Sequence, residues 1–231
     1  MNSFPDLHSL IDHTLLKPEA TSAEIALLCE EALEHRFWSV CVNSSRVRQA
    51  AEMLSGSRVK VCTVAGFPLG ASLSSIKARE AVLSMENGAH EIDMVINVGA
   101  IKDKEWKAVE EDVRAVASAL QGGALLKVIL ETALLSREEI VSACQACETA
   151  GAQFVKTSTG FAAAGGASTE AVRLMRESVS EQIGVKASGG IRNRAAALAM
   201  VQAGATRLGT SASVRIVSPD TQAHSDDSSD Y

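Results

Sequence analysis

The chain has 231 residues, of which 46% are hydrophobic and 22% are charged, enough for one domain with a sizeable core. Its formal net charge of −6 argues against a nucleic-acid partner, because surfaces that bind nucleic acid are usually basic. The first ten residues lack the features of a secretory signal, and no apolar run is long enough to span a membrane. We therefore expect a cytoplasmic protein, and its five scattered cysteines suit a reducing compartment.

Short apolar segments rich in Val and Ile alternate with longer charged segments of helical periodicity, which is typical of a parallel sheet with crossover helices. Eight segments are predicted as strands: 10–15, 37–42, 59–65, 91–97, 124–131, 153–158, 185–188 and 206–209. The predicted helices between them include 22–35, 74–87, 105–120, 137–150, 169–180 and 194–203. This order predicts an α/β fold.

Three predicted helices end in the same way, with Gly88, Gly151 or Gly204 followed at once by a strand. Glycine there supplies the left-handed residue that turns the chain out of a helix. The repeating unit of roughly 20 to 35 residues favours a (β/α)8 TIM barrel in a single domain at 1–217. An open doubly wound sheet is the alternative. Residues 218–231 are predicted to form a flexible acidic C-terminal tail.

Four titratable residues stand out in predicted strands, where apolar side chains are expected: Asp12, Asp93, Lys156 and Lys186. Reactive groups of a barrel lie at the C-terminal ends of its strands. The two lysines fall on consecutive strands, about 4.8 Å apart, so their repulsion can lower the pKa of one amine and make it a nucleophile. The alternative is that each lysine simply pairs with a carboxylate across the barrel.

Glycine-rich segments follow the later strands, at 158–160, 187–192 and 208–211. Backbone N–H groups in such segments can bind an anion, and barrels often bind phosphate after the seventh and eighth strands. Taken singly, each segment is better explained as a turn that needs glycine. Together they predict a phosphate site. The candidate ligands are Thr159, Gly160, Gly189, Gly190, Arg192, Gly209 and Ser211.

Four further residues carry reactive groups. Lys127 and Glu131 share one face of the predicted fifth strand, and Lys127 is predicted to point into the barrel. Cys41 and Cys62 are strand residues and are predicted to be small core side chains. No cysteine and histidine spacing suggests a metal site, so no metal is expected.

Five segments together resemble the deoxyribose-phosphate aldolase family of class I aldolases: LIDHT (10–14), EIDMVINVG (91–99), LKVILET (126–132), FVKTSTGF (154–161) and VKASGGIR (185–192). The resemblance covers nearly the whole chain. It implies reversible cleavage of 2-deoxy-D-ribose 5-phosphate to D-glyceraldehyde 3-phosphate and acetaldehyde, in deoxyribose phosphate catabolism. It further implies a small phosphorylated sugar as substrate, no metal or organic cofactor, and an assembly that can be a homodimer.

The family also implies a role for each candidate. Lys156 forms the Schiff base, and Lys186 lowers the pKa of that amine. Asp93, with a water molecule, moves the protons. Asp12 supports this network. Some members end in a tyrosine that reaches the active site, so Tyr231 is a further candidate for proton transfer.

Two positions depart from the family pattern and weaken the predicted phosphate site. Phe161 stands where some relatives have a lysine, and Ala212 stands where some have a serine. Two other functions remain open. A transaldolase would use a strand lysine with a ketose donor, and a catalytically silent barrel would only bind a phosphosugar.

Overall fold

The structure is a computed structural model that describes residues 6–218. Its strands are β1 (Ile11–Leu15), β2 (Ser39–Val42), β3 (Lys60–Ala65), β4 (Glu91–Val95), β5 (Leu125–Ile129), β6 (Phe154–Lys156), β7 (Gly184–Ser188) and β8 (Arg207–Thr210). They form a closed parallel barrel in sequence order. Because β8 pairs with β1, with Gly209 opposite Asp12, none of these eight described strands leaves an open sheet edge. The (β/α)8 barrel is confirmed, and the open sheet is wrong.

The helices are α1 (Ser22–Glu34), α2 (Val47–Met53), α3 (Ser74–Glu86), α4 (Val98–Lys102), α5 (Trp106–Leu120), α6 (Arg137–Thr149), α7 (Thr169–Ser178), α8 (Arg194–Gln202) and α9 (Ser213–Val217). The six predicted helices are present. The sequence did not predict α2, α4 and α9, because helices of five to seven residues are too short to show a 3.6-residue period. In the part of the chain described, no helix is long and apolar enough to cross a membrane.

Local sequence signals set the helix boundaries. A capping box begins α1, where the Thr21 side chain accepts from the backbone of Glu24 and the Glu24 carboxylate binds the backbone of Thr21. At the C-terminal ends of α3, α6 and α8, Gly88, Gly151 and Gly204 have φ values of 105°, 96° and 113°. These are the left-handed glycines predicted to lead into the following strands.

The apolar core lies between the barrel and its helices. Strand residues that face outward, such as Ile92, Met94 and Val128, are completely buried there. The next residues along the same strands face the barrel interior. Since the outward faces already supply the core, inward positions are free to carry charged groups.

The described chain ends one residue after α9. Residues 219–231 of the predicted tail, including Tyr231, lie outside the described residues, so the domain boundary and the role of this tyrosine stay predictions. His13 anchors α9: its Nδ1 atom is 2.9 Å from Ser213 Oγ, and its Nε2 atom is 2.7 Å from Glu31 Oε2 on α1.

Candidate active site

The four titratable strand residues meet inside the barrel. Oδ2 of Asp93 accepts hydrogen bonds from the ammonium groups of Lys156, at 2.8 Å, and Lys186, at 2.7 Å. Asp12 accepts a second bond from Lys186, at 2.5 Å. The register of β6 and β7 places Lys156 directly beside Lys186 on the inward face. The two lysines therefore share one carboxylate oxygen, and each is paired with a carboxylate.

Lys127 and Arg207 extend this network toward the start of the strands. Lys127 points inward, as predicted, and its Nζ atom lies 2.7 Å from Asp93 Oδ1 and 2.6 Å from Glu91 Oε2. Arg207 donates to Asp12 Oδ1 at 2.8 Å and to Glu91 Oε2 at 2.9 Å. The linked network thus joins four cations, Lys127, Lys156, Lys186 and Arg207, to three carboxylates, Asp12, Glu91 and Asp93.

Neighbouring charges set the protonation of this network. Burial alone would raise the pKa of Asp93, but the three surrounding lysines, Lys127 foremost, hold that pKa well below its usual value. Burial would likewise lower the pKa of Lys186, yet Asp12 and Asp93 together raise it. At neutral pH Asp93 is therefore an anion and Lys186 a cation.

Lys156 differs from the other two lysines in its contacts and its exposure. Lys127 and Lys186 each contact two carboxylates within 2.7 Å. Among the described residues, Lys156 contacts the carboxylate of Asp93 alone. It is 3% exposed, whereas the other two are fully buried. As the last residue of β6 it faces the open end of the barrel, where a substrate would arrive.

Two buried thiols lie beside Asp93. Cys62 Sγ is 3.2 Å from Asp93 Oδ1, and burial raises the pKa of that thiol well above its usual value. Among residues 6–218, two sets of groups are close enough to hold a metal ion: Cys41, Cys62 and Asp93, and Asp12, Cys62 and Glu91. Every carboxylate in these sets already binds an ammonium or guanidinium group. A divalent cation would face their repulsion, so the donor sets do not fit a metal.

Gly209, a predicted phosphate ligand, lies within β8 and is buried. It pairs with Asp12 on one side and Ser188 on the other. A Cβ atom at this position would lie 2.9 Å from Cε of Lys186 and 3.1 Å from Cβ of Ser188. The missing side chain makes room for the stem of Lys186, so the placement gives Gly209 a packing role. Its contact with phosphate stays a prediction.

Thr159, a second predicted phosphate ligand, directs both of its donors to a carboxylate. Its hydroxyl lies 2.5 Å from Glu131 Oε2, and its backbone N–H donates to Glu131 Oε1 at 3.2 Å. Glu131 has a left-handed backbone with φ of 57° and is buried. These bonds join the segment after β5 to the segment after β6 and leave Thr159 without a spare donor in this arrangement.

The remaining predicted phosphate ligands surround the open end of the barrel. Gly189 and Gly190 follow β7 with φ values of 85° and 77°, and Gly160 follows β6 with φ of 87°. A Cβ atom at Gly190 would meet nothing within 4 Å, so this turn borders open space. Arg192 and Ser211 are exposed at the same end. The structure thus brings these five residues to the ends of neighbouring strands.

Two aromatic rings stand at the open end of the barrel. Phe67 and Phe161 meet edge to face, with ring centroids 5.2 Å apart. Phe67 also packs on the small apolar cluster that contains Cys41 and Cys62. A neighbouring cavity of about 370 Å³ has Val95, Glu131 and Phe161 in its walls. Phe161 thus gives this side of the opening an apolar surface.

Sequence reasoning missed Glu91 and Arg207 as members of the site. Both are the first residues of their strands. The signal for Glu91 was its place two residues before Asp93, on the same face of β4. Arg207 lies near the start of a predicted strand, whereas reactive groups of a barrel are expected at the C-terminal strand ends, so its position gave no functional signal.

Comparison with known proteins agrees with this geometry. The family model described as "DeoC/LacD family aldolase" matches residues 7–213. The chain is similar to a deoxyribose-phosphate aldolase of a Geobacillus species, with 58% identity over 92% of this chain and 95% of the relative.

Two solved structures are similar throughout. A putative deoxyribose-phosphate aldolase from Coccidioides immitis matches with a TM-score of 0.89 and 44% identity, covering 93% of this chain and 87% of that one. A tetrameric deoxyribose phosphate aldolase from Aeropyrum pernix matches with a TM-score of 0.86 and 34% identity, covering 94% and 91%. The resemblance inferred from the motifs is confirmed. The chain is an enzyme, a carbon–carbon lyase, and it belongs to the DeoC/LacD family of aldolases.

Proposed function

We propose that this aldolase cleaves 2-deoxy-D-ribose 5-phosphate to D-glyceraldehyde 3-phosphate and acetaldehyde through a Schiff base on Lys156. The observation that carries the proposal is a lysine at the open end of the barrel, 2.8 Å from the carboxylate of Asp93 and beside a second lysine. The names of the similar proteins support this substrate.

The reaction begins when the free amine of Lys156 attacks the aldehyde carbon of the open-chain sugar. A carbinolamine forms, and loss of its hydroxyl as water leaves a protonated iminium. Asp93, an anion within hydrogen-bond distance of this nitrogen, accepts and returns the protons of these steps. A bound water in the Asp93 shell would carry the proton to the hydroxyl that leaves.

The iminium then draws electrons from the bond between C2 and C3 of the sugar. As this bond breaks, the C3 hydroxyl passes its proton through the bound water to the Asp93 carboxylate, which holds it for the next step; D-glyceraldehyde 3-phosphate is released and an enamine stays on Lys156. Protonation of the terminal enamine carbon regenerates an iminium, and hydrolysis frees acetaldehyde and the amine. The iminium is the electron sink, so none of these steps needs a metal.

Lys186 and Asp12 support the reaction at Lys156 from inside the barrel. Lys186 stays charged because two carboxylates bind it, and its charge disfavours a second cation at Lys156. Asp12 holds Lys186 in place at 2.5 Å. Lys186 is also 2.7 Å from Asp93 Oδ2, so it can relay a proton to the same carboxylate oxygen.

Phosphate is proposed to bind at the turns after β6, β7 and β8. Gly189 and Gly190 present backbone N–H groups at the open end, and Arg192 supplies a positive charge. Gly160 and Ser211 complete the proposed site, whereas the donors of Thr159 are engaged by Glu131. Phosphate binding would hold the sugar with its aldehyde toward Lys156.

The test is turnover in the synthetic direction with D-glyceraldehyde 3-phosphate as acceptor. Acetaldehyde should serve as donor and give 2-deoxy-D-ribose 5-phosphate, and a ketose donor should give no product. The matched control is Lys156→Arg, which keeps the positive charge and removes the nucleophile. Turnover with a ketose donor alone would indicate a transaldolase. No turnover with either donor would indicate a silent binding barrel, and both results contradict the proposal.

A further inference from the structure

A group of aromatic and charged side chains closes the N-terminal end of the barrel, opposite the substrate opening. Arg207, Phe154 and Glu91 are the first residues of β8, β6 and β4, and Trp38 immediately precedes β2. The Arg207 guanidinium carbon lies 4.4 Å from the ring centroid of Trp38 and 5.2 Å from that of Phe154. Trp38 Nε1 donates to Glu91 Oε1 at 2.7 Å. The guanidinium is thus held between two rings, with its position fixed on several sides.

This closure is connected to the proposed nucleophile through buried ion pairs. Arg207 binds Asp12 Oδ1 at 2.8 Å, and the other oxygen of Asp12 binds Lys186 at 2.5 Å. Lys186 and Lys156 then meet on Asp93 Oδ2. Asp12, Asp93 and Lys186 are fully buried, so water screens these contacts little.

The linked network contains more positively charged groups than carboxylates. A guanidinium keeps its proton at any pH the protein meets, so Arg207 is a fixed positive charge. With it, the linked network has four cations and three carboxylates, a surplus of one positive charge. A buried excess of positive charge is removed most easily when a cation with few carboxylate contacts loses its proton. Lys156 is the cation of this network with the fewest such contacts.

Among the described residues, four other ionisable groups lie near this network: Cys41, Cys62, Glu131 and Lys60. The inward or strand-end groups of the described residues are Asp12 (β1), Cys41 (β2), Lys60 and Cys62 (β3), Glu91 and Asp93 (β4), Lys127 and Glu131 (β5), Lys156 (β6), Lys186 (β7) and Arg207 (β8). Burial raises the pKa of the Cys62 thiol, whereas a hydrogen bond to Cys62 lowers the pKa of the Cys41 thiol, so Cys41 is the group whose ionisation would reduce the surplus. Glu131 lies outside the ion-pair network and is bound by Thr159. Lys60 is only half-buried.

We propose that Arg207 is a positioning residue for the aldolase reaction: it fixes Asp12 and supplies the positive charge that favours the free amine of Lys156. The inference rests on the proposed Schiff-base function. It assigns a part in the reaction to a residue at the closed end of the barrel, which substrate does not reach. Glu91 has the opposite effect, because its carboxylate compensates Arg207 and Lys127.

The test compares substitutions of the two partners of one ion pair, Arg207 and Glu91, which change charge in opposite senses. Arg207→Met removes a positive charge, so the rise of kcat/KM with pH on the acid side should move to higher pH. Glu91→Gln removes a negative charge and should move the same rise to lower pH. Each shift should be on the order of one pH unit, for one buried charge at an effective dielectric constant of about 20.

Two variants that conserve charge serve as controls. Arg207→Lys keeps the positive charge, and Trp38→Phe removes the indole N–H that binds Glu91 without changing any charge. Both should keep the acid-side rise near its wild-type position, even where turnover falls. A purely structural role would lower turnover in all four variants and leave the rise in place.

The outcomes separate this inference from the function on which it rests. Wild-type enzyme that shows no aldolase turnover contradicts the proposed function itself. An active wild type whose Arg207→Met and Glu91→Gln variants keep the wild-type profile, or shift in the same direction, overturns the inference. If Arg207→Met does not fold, Glu91→Gln decides alone, and an unchanged rise or one at higher pH overturns it.

Discussion

Replacing Gly209 with alanine tests whether the placement of Lys186 limits the chemical step. The backbone at Gly209 is extended strand that any residue adopts, so alanine adds no backbone strain. Its Cβ atom would lie 2.9 Å from Cε of Lys186, where ordinary contact begins at 3.4 Å. The lysine stem must therefore retreat by about 0.5 Å or more. Misplacement of a catalytic group by about 1 Å can cost roughly 100-fold in rate, so we expect kcat to fall about 10-fold to 100-fold.

The assay is steady-state cleavage of 2-deoxy-D-ribose 5-phosphate, with kcat and KM measured separately. Gly190→Ala is the matched control, because a Cβ atom there meets nothing within 4 Å and only the backbone, with φ of 77°, is strained. We expect Gly209→Ala to lower kcat with little change in KM. Gly190→Ala should mainly raise KM, because it distorts the proposed phosphate turn. A Gly209→Ala enzyme with wild-type kcat, or with the change confined to KM, would refute the packing argument.

Three further predictions follow from the buried charges. Lys186→Leu should cut turnover severely and move Schiff-base formation to higher pH, because Asp93 loses one of its cations; an unchanged pH profile would count against this role. Lys77→Met should lower the free energy of unfolding by about 3–5 kcal/mol in urea, because it leaves Asp112, 2.6 Å away, buried without its partner. Equal stability would contradict this. The folded-state pKa of Asp93 lies below its unfolded value of about 4, so its stabilising effect is complete above that pH and lost as pH falls further. The midpoint temperature of thermal unfolding should fall as the pH is lowered below about 4, and a midpoint temperature that stays constant from pH 7 to 2 would oppose this.

Much of the fold follows from the sequence for simple physical reasons. The strands are apolar because one face of each packs on helices, and Gly88, Gly151 and Gly204 mark the left-handed helix ends. Closure of the barrel could not be derived, since it depends on the pairing of β8 with β1, which are far apart in the sequence. The shortest helices were missed because they complete fewer than two turns.

The site was predictable in part. Asp93, Lys156 and Lys186 stand out because a charged side chain in an apolar strand is costly unless it has a use or a partner. Their partners depend on strand register and barrel tilt, which no local pattern encodes. Register places Gly209 against Lys186, and the positive φ of Glu131 turns its carboxylate to the segment after β6. These contacts required the structure.

The proposed Schiff base on Lys156 is tested most directly by identifying the residue that forms it. The enzyme is incubated with acetaldehyde and borohydride, which reduces the iminium to a stable amine, and the peptides are mapped by mass spectrometry. We expect an ethyl group, which replaces one hydrogen on the Lys156 amine, and no such adduct in Lys156→Arg. An adduct on Lys127 or Lys186 in the active enzyme, or an active enzyme that traps none, would contradict it.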